Sequence, residues 1–117
     1  MLLLRYTNMK YLILENIRSA YNVGAIFRTA DAAGVEKIYL IGYTPAPIDR
    51  FGREQSEIKK TSLGASETVP WEHHPESPAV IAELQAAGLR VVAVEQGAGA
   101  KPLPQFTVPT HVAYILG

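Results

Sequence analysis

Four segments of the chain are almost continuously apolar, without the alternation of polar and apolar residues that marks a half-exposed strand. They are residues 10–15, 36–43, 89–96 and 111–117. Such runs of aliphatic and β-branched residues are typical of strands covered on both faces in a parallel sheet. A shorter strand is predicted at residues 66–71, at an edge of the sheet because Pro70 cannot donate a ladder hydrogen bond.

Two amphipathic helices are predicted between these strands. The first has Asn22 as its N-cap and Gly34 as the left-handed residue that ends it. The second is capped by Ser77, has Pro78 at its first helical position and ends at Gly88. Their apolar stripes are Val23, Ile26, Phe27, Ala30 and Ala33 in the first, and Val80, Ile81, Leu84 and Ala87 in the second.

The alternation of strands and helices predicts the fold class. We expect one α/β domain over residues 1–117, with an open, mostly parallel sheet of about five strands and helices on both faces. The polar stretch 44–61 is predicted to be a long loop with a helical turn at 54–59. Ligands bind such sheets beyond the carboxyl ends of the strands, so candidate residues are sought in the loops there.

Composition and charge narrow the class of protein. The chain is 48% hydrophobic and has no cysteine, which excludes a disulfide framework and a zinc–thiolate site. No segment approaches the roughly 20 apolar residues of a membrane span, and Arg5 interrupts the opening MLLL, so a cytoplasmic location is expected. Residues 1–60 hold nine Lys/Arg and six Asp/Glu and residues 61–117 hold two and five, a polarity of +3 and −3 that is too weak to indicate nucleic acid by itself.

Two nucleotide-binding motifs are absent from the candidate loops. The loop ENIRSAYN after the first strand has no glycine, and GAGAKP has Pro102 where a dinucleotide fingerprint needs glycine. Lys101 is not followed by the Ser or Thr of a Walker loop. A flavodoxin-like nucleotide binder is therefore disfavoured. No metal site is predicted either, because adjacent His73 and His74 point to opposite faces of a strand.

Asn22 and Arg28 are the strongest candidates for chemistry. An asparagine that opens a helix lies near free backbone N–H groups, and an arginine almost two turns later can face the same ligand. In the alternative interpretation, Asn22 is a simple N-cap and Arg28 is a surface residue paired with Asp31. Spacing alone favours this alternative.

A resemblance to a known family changes that balance. The run NIRSAYNVGAIFRTADAAGVEKIYLIG, residues 16–42, resembles the first motif of the SpoU (tRNA/rRNA methyltransferase H-like) family of the SPOUT superfamily. The motif's pattern is matched by Asn22, Gly24, Arg28 and Gly34. KKTSLGASETVPW is similar to the family's central Gly-Ala segment, and YILG to the start of its second motif.

The resemblance implies an enzyme that transfers a methyl group from S-adenosylmethionine to a ribose 2′-hydroxyl of tRNA or rRNA. It makes Arg28 the catalytic group that meets the ribose hydroxyl and Asn22 its support. A guanidinium is a poor base, so its expected task is to stabilise the developing alkoxide charge. The resemblance also implies a homodimer for the full-length enzyme.

Cofactor and RNA contacts are assigned to loops of the predicted sheet. The cofactor is expected to lie among the loops at the sheet's carboxyl end, against Glu95, Gln96, Gly97, Leu116 and Gly117. RNA is expected to meet basic residues, with Phe51 available for stacking. These basic residues are Arg18, Arg50, Arg53, Lys59 and Lys60.

The chain departs from the family at its end. After ILG, family members continue with an acidic, glycine-rich loop and a Ser-Leu-Asn segment that closes a C-terminal knot. We therefore expect an α/β knot fold that lacks its knot segment, and a 117-residue polypeptide that by itself binds S-adenosylmethionine poorly and does not methylate. The alternative function is a non-catalytic RNA-binding or dimerisation module derived from the same fold.

Overall fold

The computed structural model describes residues 9–94 and 111–117, and these contain five strands and four helices. The strands are β1 (Met9–Glu15), β2 (Lys37–Ile41), β3 (Trp71–His74), β4 (Arg90–Val94) and β5 (His111–Leu116). The helices are α1 (Ala20–Ala33), α2 (Ser56–Ser62), α3 (Ala65–Thr68) and α4 (Pro78–Ala86).

The strands form one parallel sheet in the order β3-β2-β1-β5-β4. The central strand β1 pairs with β2 on one side, with Leu14 beside Leu40, and with β5 on the other, with Leu14 beside Leu116. The chain order reverses between β1 and β5, which places the topological switch point at the carboxyl ends of these two strands. The predicted parallel α/β sheet is confirmed.

Helices cover both faces of the sheet and create two apolar clusters. On one face, Val23 and Phe27 of α1 and Ile58 of α2 pack on Leu14 and Leu40. On the other, Val80 and Leu84 of α4 pack on alternate residues of the same strands. Side chains of consecutive strand residues point to opposite faces, so β1 and β2 must be apolar at nearly every position.

The predicted strand at residues 66–71 is wrong. Gly64, with φ of 92°, precedes the short helix α3, and the Val69 N–H returns to the carbonyl of Ala65. The chain then extends, the carbonyl of Pro70 accepts the Ile38 N–H, and β3 begins at Trp71. Pro70 thus lies immediately before an edge strand, where its missing donor costs no ladder bond.

The predicted N-cap of α1 is wrong, whereas the predicted start of α4, with Ser77 at the N-cap position and Pro78 as first helical residue, is confirmed. α1 begins three residues earlier than predicted, because Ser19 is the N-cap and its Oγ accepts the backbone N–H of Asn22 at 3.1 Å. Ser77 does precede α4, but its side chain makes no capping bond and instead donates to Oε2 of Glu15 at 2.6 Å. The predicted left-handed Gly34 at the end of α1 is confirmed, with φ of 75°.

α1 and α2 pack against each other at very close range. Position 24 must be glycine here, because a β-carbon would come within 1.8 Å of Oγ1 of Thr61 and 2.8 Å of the carbonyl oxygen of Ile58. Oγ1 of Thr61 also lies 3.0 Å from the carbonyl oxygen of Tyr21. This contact fixes α2, the helix that replaces the predicted turn at 54–59, along the side of α1.

Candidate RNA-binding and catalytic site

Arg28 lies on the exposed side of α1, facing α2. It lines a hollow of about 520 Å³ together with Lys60 of α2. The other lining residues are Tyr21, Ala25, Thr29, Ala32, Thr61 and Leu63, none of them acidic. Two cations and, among the described residues that line it, no carboxylate make this hollow suited to a phosphate or another anion.

The alternative interpretation of Asn22 and Arg28 as a cap and an ion pair is wrong in both parts. Ser19 is the cap, and in the described part of the chain the Arg28 guanidinium forms no salt bridge with Asp31 or any other carboxylate. Both polar side chains are exposed. Their functional groups are therefore available to a ligand.

The structure does not bring Asn22 and Arg28 into one hollow. They are six positions apart, about 9 Å along the helix axis. Asn22 is the third residue of α1, in the first turn beside the carboxyl edge of the sheet, and it is not among the residues that line the hollow at Arg28. The two side chains can therefore contact different parts of one extended ligand.

A hydrogen-bonded network holds the loops after β1 and β2 together. The hydroxyl of buried Thr44 accepts the Ile17 N–H at 3.0 Å and lies 2.8 Å from the carbonyl oxygen of Ile41 and 3.0 Å from that of Leu14. Asn16, with φ of 53°, accepts the Tyr43 N–H through Oδ1. Neither Thr44 nor Asn16 is predicted from the sequence, although an asparagine directly after a strand is a signal for a left-handed turn.

The switch point between β1 and β5 carries two of the predicted cofactor residues. Leu116 ends β5, and Gly117 lies so close to β1 that a β-carbon there would come within 3.1 Å of the carbonyl oxygen of Glu15. Beside them, the Glu15 carboxylate is held by Ser77. The other predicted cofactor residues, Glu95, Gln96 and Gly97, lie outside the described residues.

A tight turn in the loop after β2 carries two of the predicted RNA-binding arginines. Oδ1 of Asp49 accepts the N–H groups of Phe51 and Arg53, and Oδ2 accepts Nε of Arg53 at 2.9 Å. The bond from the Arg53 N–H is the main reason that the pKa of Asp49 is lowered, with Phe51 N–H and the Arg53 side chain adding to it. The guanidinium carbons of Arg50 and Arg53 lie 4.9 and 5.1 Å from the Phe51 ring centre.

The remaining predicted RNA-binding cations differ in whether they already form an ion pair with a carboxylate. Lys59 pairs with Glu54 at 3.2 Å, whereas Lys60 has no carboxylate partner within the described part of the chain. Arg18 lies with its guanidinium carbon 5.7 Å from the ring centre of Tyr43. Arg18, Arg50 and Lys60 are therefore the cations most accessible to a polyanion, since Arg53 and Lys59 are already paired.

The histidines of β3 form hydrogen bonds within the protein. His73 Nε2 donates to the carbonyl oxygen of Gly42, and His74 Nε2 donates to Glu72, both at 2.8 Å. Hydrogen bonds from Lys37 and then from His74 lower the pKa of Glu72, and the same Lys37 contact raises the pKa of the lysine. Within residues 9–94 and 111–117, no group of three potential ligands is placed to hold a metal ion, and no helix is long and apolar enough to span a membrane.

The chain matches a known protein family over all of its described strands and helices. The model of the SpoU rRNA methylase family matches residues 9–117. This chain belongs to that family. The match includes every described strand and the whole of the segment that carries Asn22, Gly24 and Arg28.

Relatives of the SpoU chain include enzymes of named activity. It is 30% identical over 106 residues to the 23S rRNA (guanosine-2′-O-)-methyltransferase RlmB of Neisseria meningitidis, and 30% identical to that of Salmonella typhi. These alignments cover 91% of this chain but 40% and 41% of the relatives. The chain thus spans about 40% of the length of the curated relatives it matches.

Solved structures confirm the SPOUT-like fold. The AdoMet-bound rRNA methyltransferase from Sinorhizobium meliloti superimposes with a TM-score of 0.77 at 28% identity, over 96% of this chain and 41% of that one. The SpoU methyltransferase AviRb from Streptomyces viridochromogenes, in complex with AdoMet, gives 0.80 at 17% identity, over 95% and 41%. The second match, at its low identity, bears on the fold alone.

Proposed function

We propose that this SpoU protein is an RNA methyltransferase that transfers a methyl group from S-adenosylmethionine to a ribose 2′-hydroxyl of rRNA or tRNA. The observation that carries the proposal is the family match across residues 9–117, which includes Arg28, exposed in a cationic hollow and forming no salt bridge with any described residue. Relatives named as 23S rRNA guanosine-2′-O-methyltransferases make rRNA the first substrate to test.

Arg28 acts on the attacking ribose oxygen in this proposal. A guanidinium stays protonated at neutral pH, so it cannot remove the hydroxyl proton, but its N–H groups stabilise negative charge as the alkoxide develops. Lys60, in the same hollow, offers a second cation to a phosphate beside that ribose. Asn22, whose side chain is not used for capping, positions the RNA backbone further along α1.

The methyl donor is placed at the switch point between β1 and β5. Leu116 and Gly117 form one side of this site, and Glu95, Gln96 and Gly97 follow the neighbouring strand β4 in sequence. Gly117 packs directly against β1, because a side chain there would approach the carbonyl oxygen of Glu15. S-adenosylmethionine supplies an already activated methyl group, so the protein's task is in-line positioning of the ribose oxygen.

RNA binding is assigned in this proposal to exposed cations of α2 and of the loops after β1 and β2. Arg18, Arg50 and Lys60 contact phosphates directly, and Arg53 and Lys59 do so only after exchanging their carboxylate partners. From the family relationship we further propose that the full-length protein is a cytoplasmic homodimer. The oligomeric state is measurable by light scattering of the purified protein.

The decisive experiment is a methyl-transfer assay with the full-length protein. Tritiated S-adenosylmethionine is incubated with ribosomal RNA and with transfer RNA, and the labelled nucleotide is mapped. The proposal expects label at one position, lost when that nucleotide carries a 2′-deoxyribose. Tight RNA binding with no label in either RNA would instead support the alternative, a non-catalytic RNA-binding module.

A further inference from the structure

Two large aromatic side chains on the loop after β2 are exposed to solvent. Phe51 is 67% exposed and Tyr43 is 60% exposed. Single exposed apolar residues are common, but these two line the same hollow, of about 600 Å³, and Trp71 lines it as well. An open pocket with three aromatic rings is matched to a flat, aromatic ligand.

Arginine accompanies both exposed rings. Arg18 lies over the ring of Tyr43, and Arg50 and Arg53 lie over the ring of Phe51. Aromatic rings bordered by cations are the pattern by which proteins hold single-stranded nucleic acid, because bases stack on the rings while the cations meet the phosphates. These arginines attract an anionic ligand and repel a cationic one.

The turn that presents Phe51 is held in a fixed conformation. Asp49 accepts hydrogen bonds from the N–H groups of Phe51 and Arg53 and from the Arg53 side chain. The isolated bridge between Ile48 and Glu54 closes the base of the same turn. A ring held in place before binding loses less conformational entropy when a base stacks on it.

We propose that this hollow binds one unpaired nucleobase of the RNA, stacked on Phe51, while Arg18 and Arg50 contact the flanking phosphates. The identification of the RNA as the substrate rests on the proposed methyltransferase function. A base in a duplex is covered by its neighbours and cannot enter the hollow, so the site selects a loop, bulge or single-stranded segment.

The test uses the full-length protein and a single-stranded RNA that carries one 2-aminopurine, whose fluorescence falls when it stacks. We expect binding to quench the fluorescence, and the same sequence in a duplex to bind more weakly. Phe51→Leu removes the ring and should weaken binding on the order of tenfold and abolish the quenching, whereas Phe51→Tyr should retain both. Arg50→Ala should weaken RNA binding more than the control Arg90→Ala, which removes the same charge. Arg90 is an exposed residue of β4, the edge strand opposite β3.

The proposal is overturned if the wild-type protein does not quench the probe, or if Phe51→Leu binds and quenches as the wild type does. Failure of the base site is distinguishable from failure of the methyltransferase function. Loss of methyl transfer in Arg28→Ala with unchanged behaviour of Phe51→Leu refutes only the base site. Quenching that depends on Phe51 in a protein without methyl-transfer activity refutes only the enzyme.

Discussion

Gly24 of α1 lies directly against Thr61 of α2, at a separation that leaves no room for a β-carbon. The hollow that contains Arg28 and Lys60 lies between these same two helices. The glycine therefore sets the distance between two cations that it does not itself contact. Its place in the family motif has a packing reason: the two helices cannot approach this closely with any larger residue.

Substitution of Gly24 by alanine should destabilise the protein. Overpacking costs about 1–3 kcal/mol, and the better helix propensity of alanine recovers up to about 1 kcal/mol of it. Urea unfolding followed by circular dichroism measures the difference. The double variant Gly24→Ala/Thr61→Ala should recover part of the loss, because Oγ1 of Thr61 is the nearer of the two obstructions. A single variant as stable as the wild type would contradict the close contact.

Replacement of Arg28 should affect catalysis and leave folding unchanged. Loss of one donor to a developing oxyanion lowers kcat on the order of 100- to 1000-fold, so Arg28→Ala should show a loss of this size. Arg28→Lys keeps the charge but loses the planar, forked guanidinium, so its kcat should lie between those of the wild type and Arg28→Ala. The unfolding midpoint should not move, since Arg28 is exposed. Transfer at the wild-type rate by Arg28→Ala would refute its role.

Thr44 should be essential to the stability of the carboxyl edge of the sheet. Thr44→Val keeps the shape but leaves the Ile17 N–H without its acceptor, at a cost of about 1–3 kcal/mol. Thr44→Ser retains the hydroxyl and should lose clearly less. Hydrogen exchange of the Ile17 amide, measured by NMR, should accelerate in the valine variant and remain slow in the serine variant. Equal protection in both would contradict the network.

The Lys37–Glu72 pair predicts a specific dependence of stability on pH. The folded-state pKa of Glu72 lies below its ordinary value of 4.5, so the pair stabilises the protein above that pH and its contribution is lost as the pH falls through the lowered pKa. Both side chains are partly exposed, which limits the effect at pH 7 to about 0.2–1 kcal/mol. Lys37→Met should therefore be less stable than the wild type at pH 7, and the difference should vanish in acid. A difference that persists in acid would exclude the pair as its cause.

The buried parts of the sheet were predictable from the sequence. β2 is buried at four of its five residues, and the middle residues Ile13, Leu14, Val112 and Ala113 of β1 and β5 are buried as well, which explains the continuous apolar runs at the centre of the sheet. β3 was placed wrongly because it is an edge strand with the polar sequence WEHH. Its Glu72 and His74 side chains form a hydrogen bond with each other instead of packing in an apolar core. The apolar residues just before it, around Val69, belong to the end of α3 instead.

The candidate site was only partly predictable. A resemblance to a family motif made Arg28 and Asn22 candidates, but Ser19 and Asn22 are both acceptable caps, and the sequence does not show which of them caps α1. Lys60 and Arg28 line the same hollow only because α2 packs against α1. That packing depends on the contact between Gly24 and Thr61, which are far apart in the chain. Thr44 was missed because its importance lies in three backbone groups brought together by folding.

The position of β5 between β1 and β4 has a consequence for how the polypeptide acquires its fold. β1 to β3, with α1 to α3, comprise residues 9–74 and can associate through contacts of short or moderate sequence separation. The second edge of β1 stays open until residues 111–116 arrive, about a hundred positions later. Closure over so long a loop is slow. During synthesis on the ribosome, the nascent chain therefore exposes an apolar, unpaired strand edge, at which we expect chaperones to act.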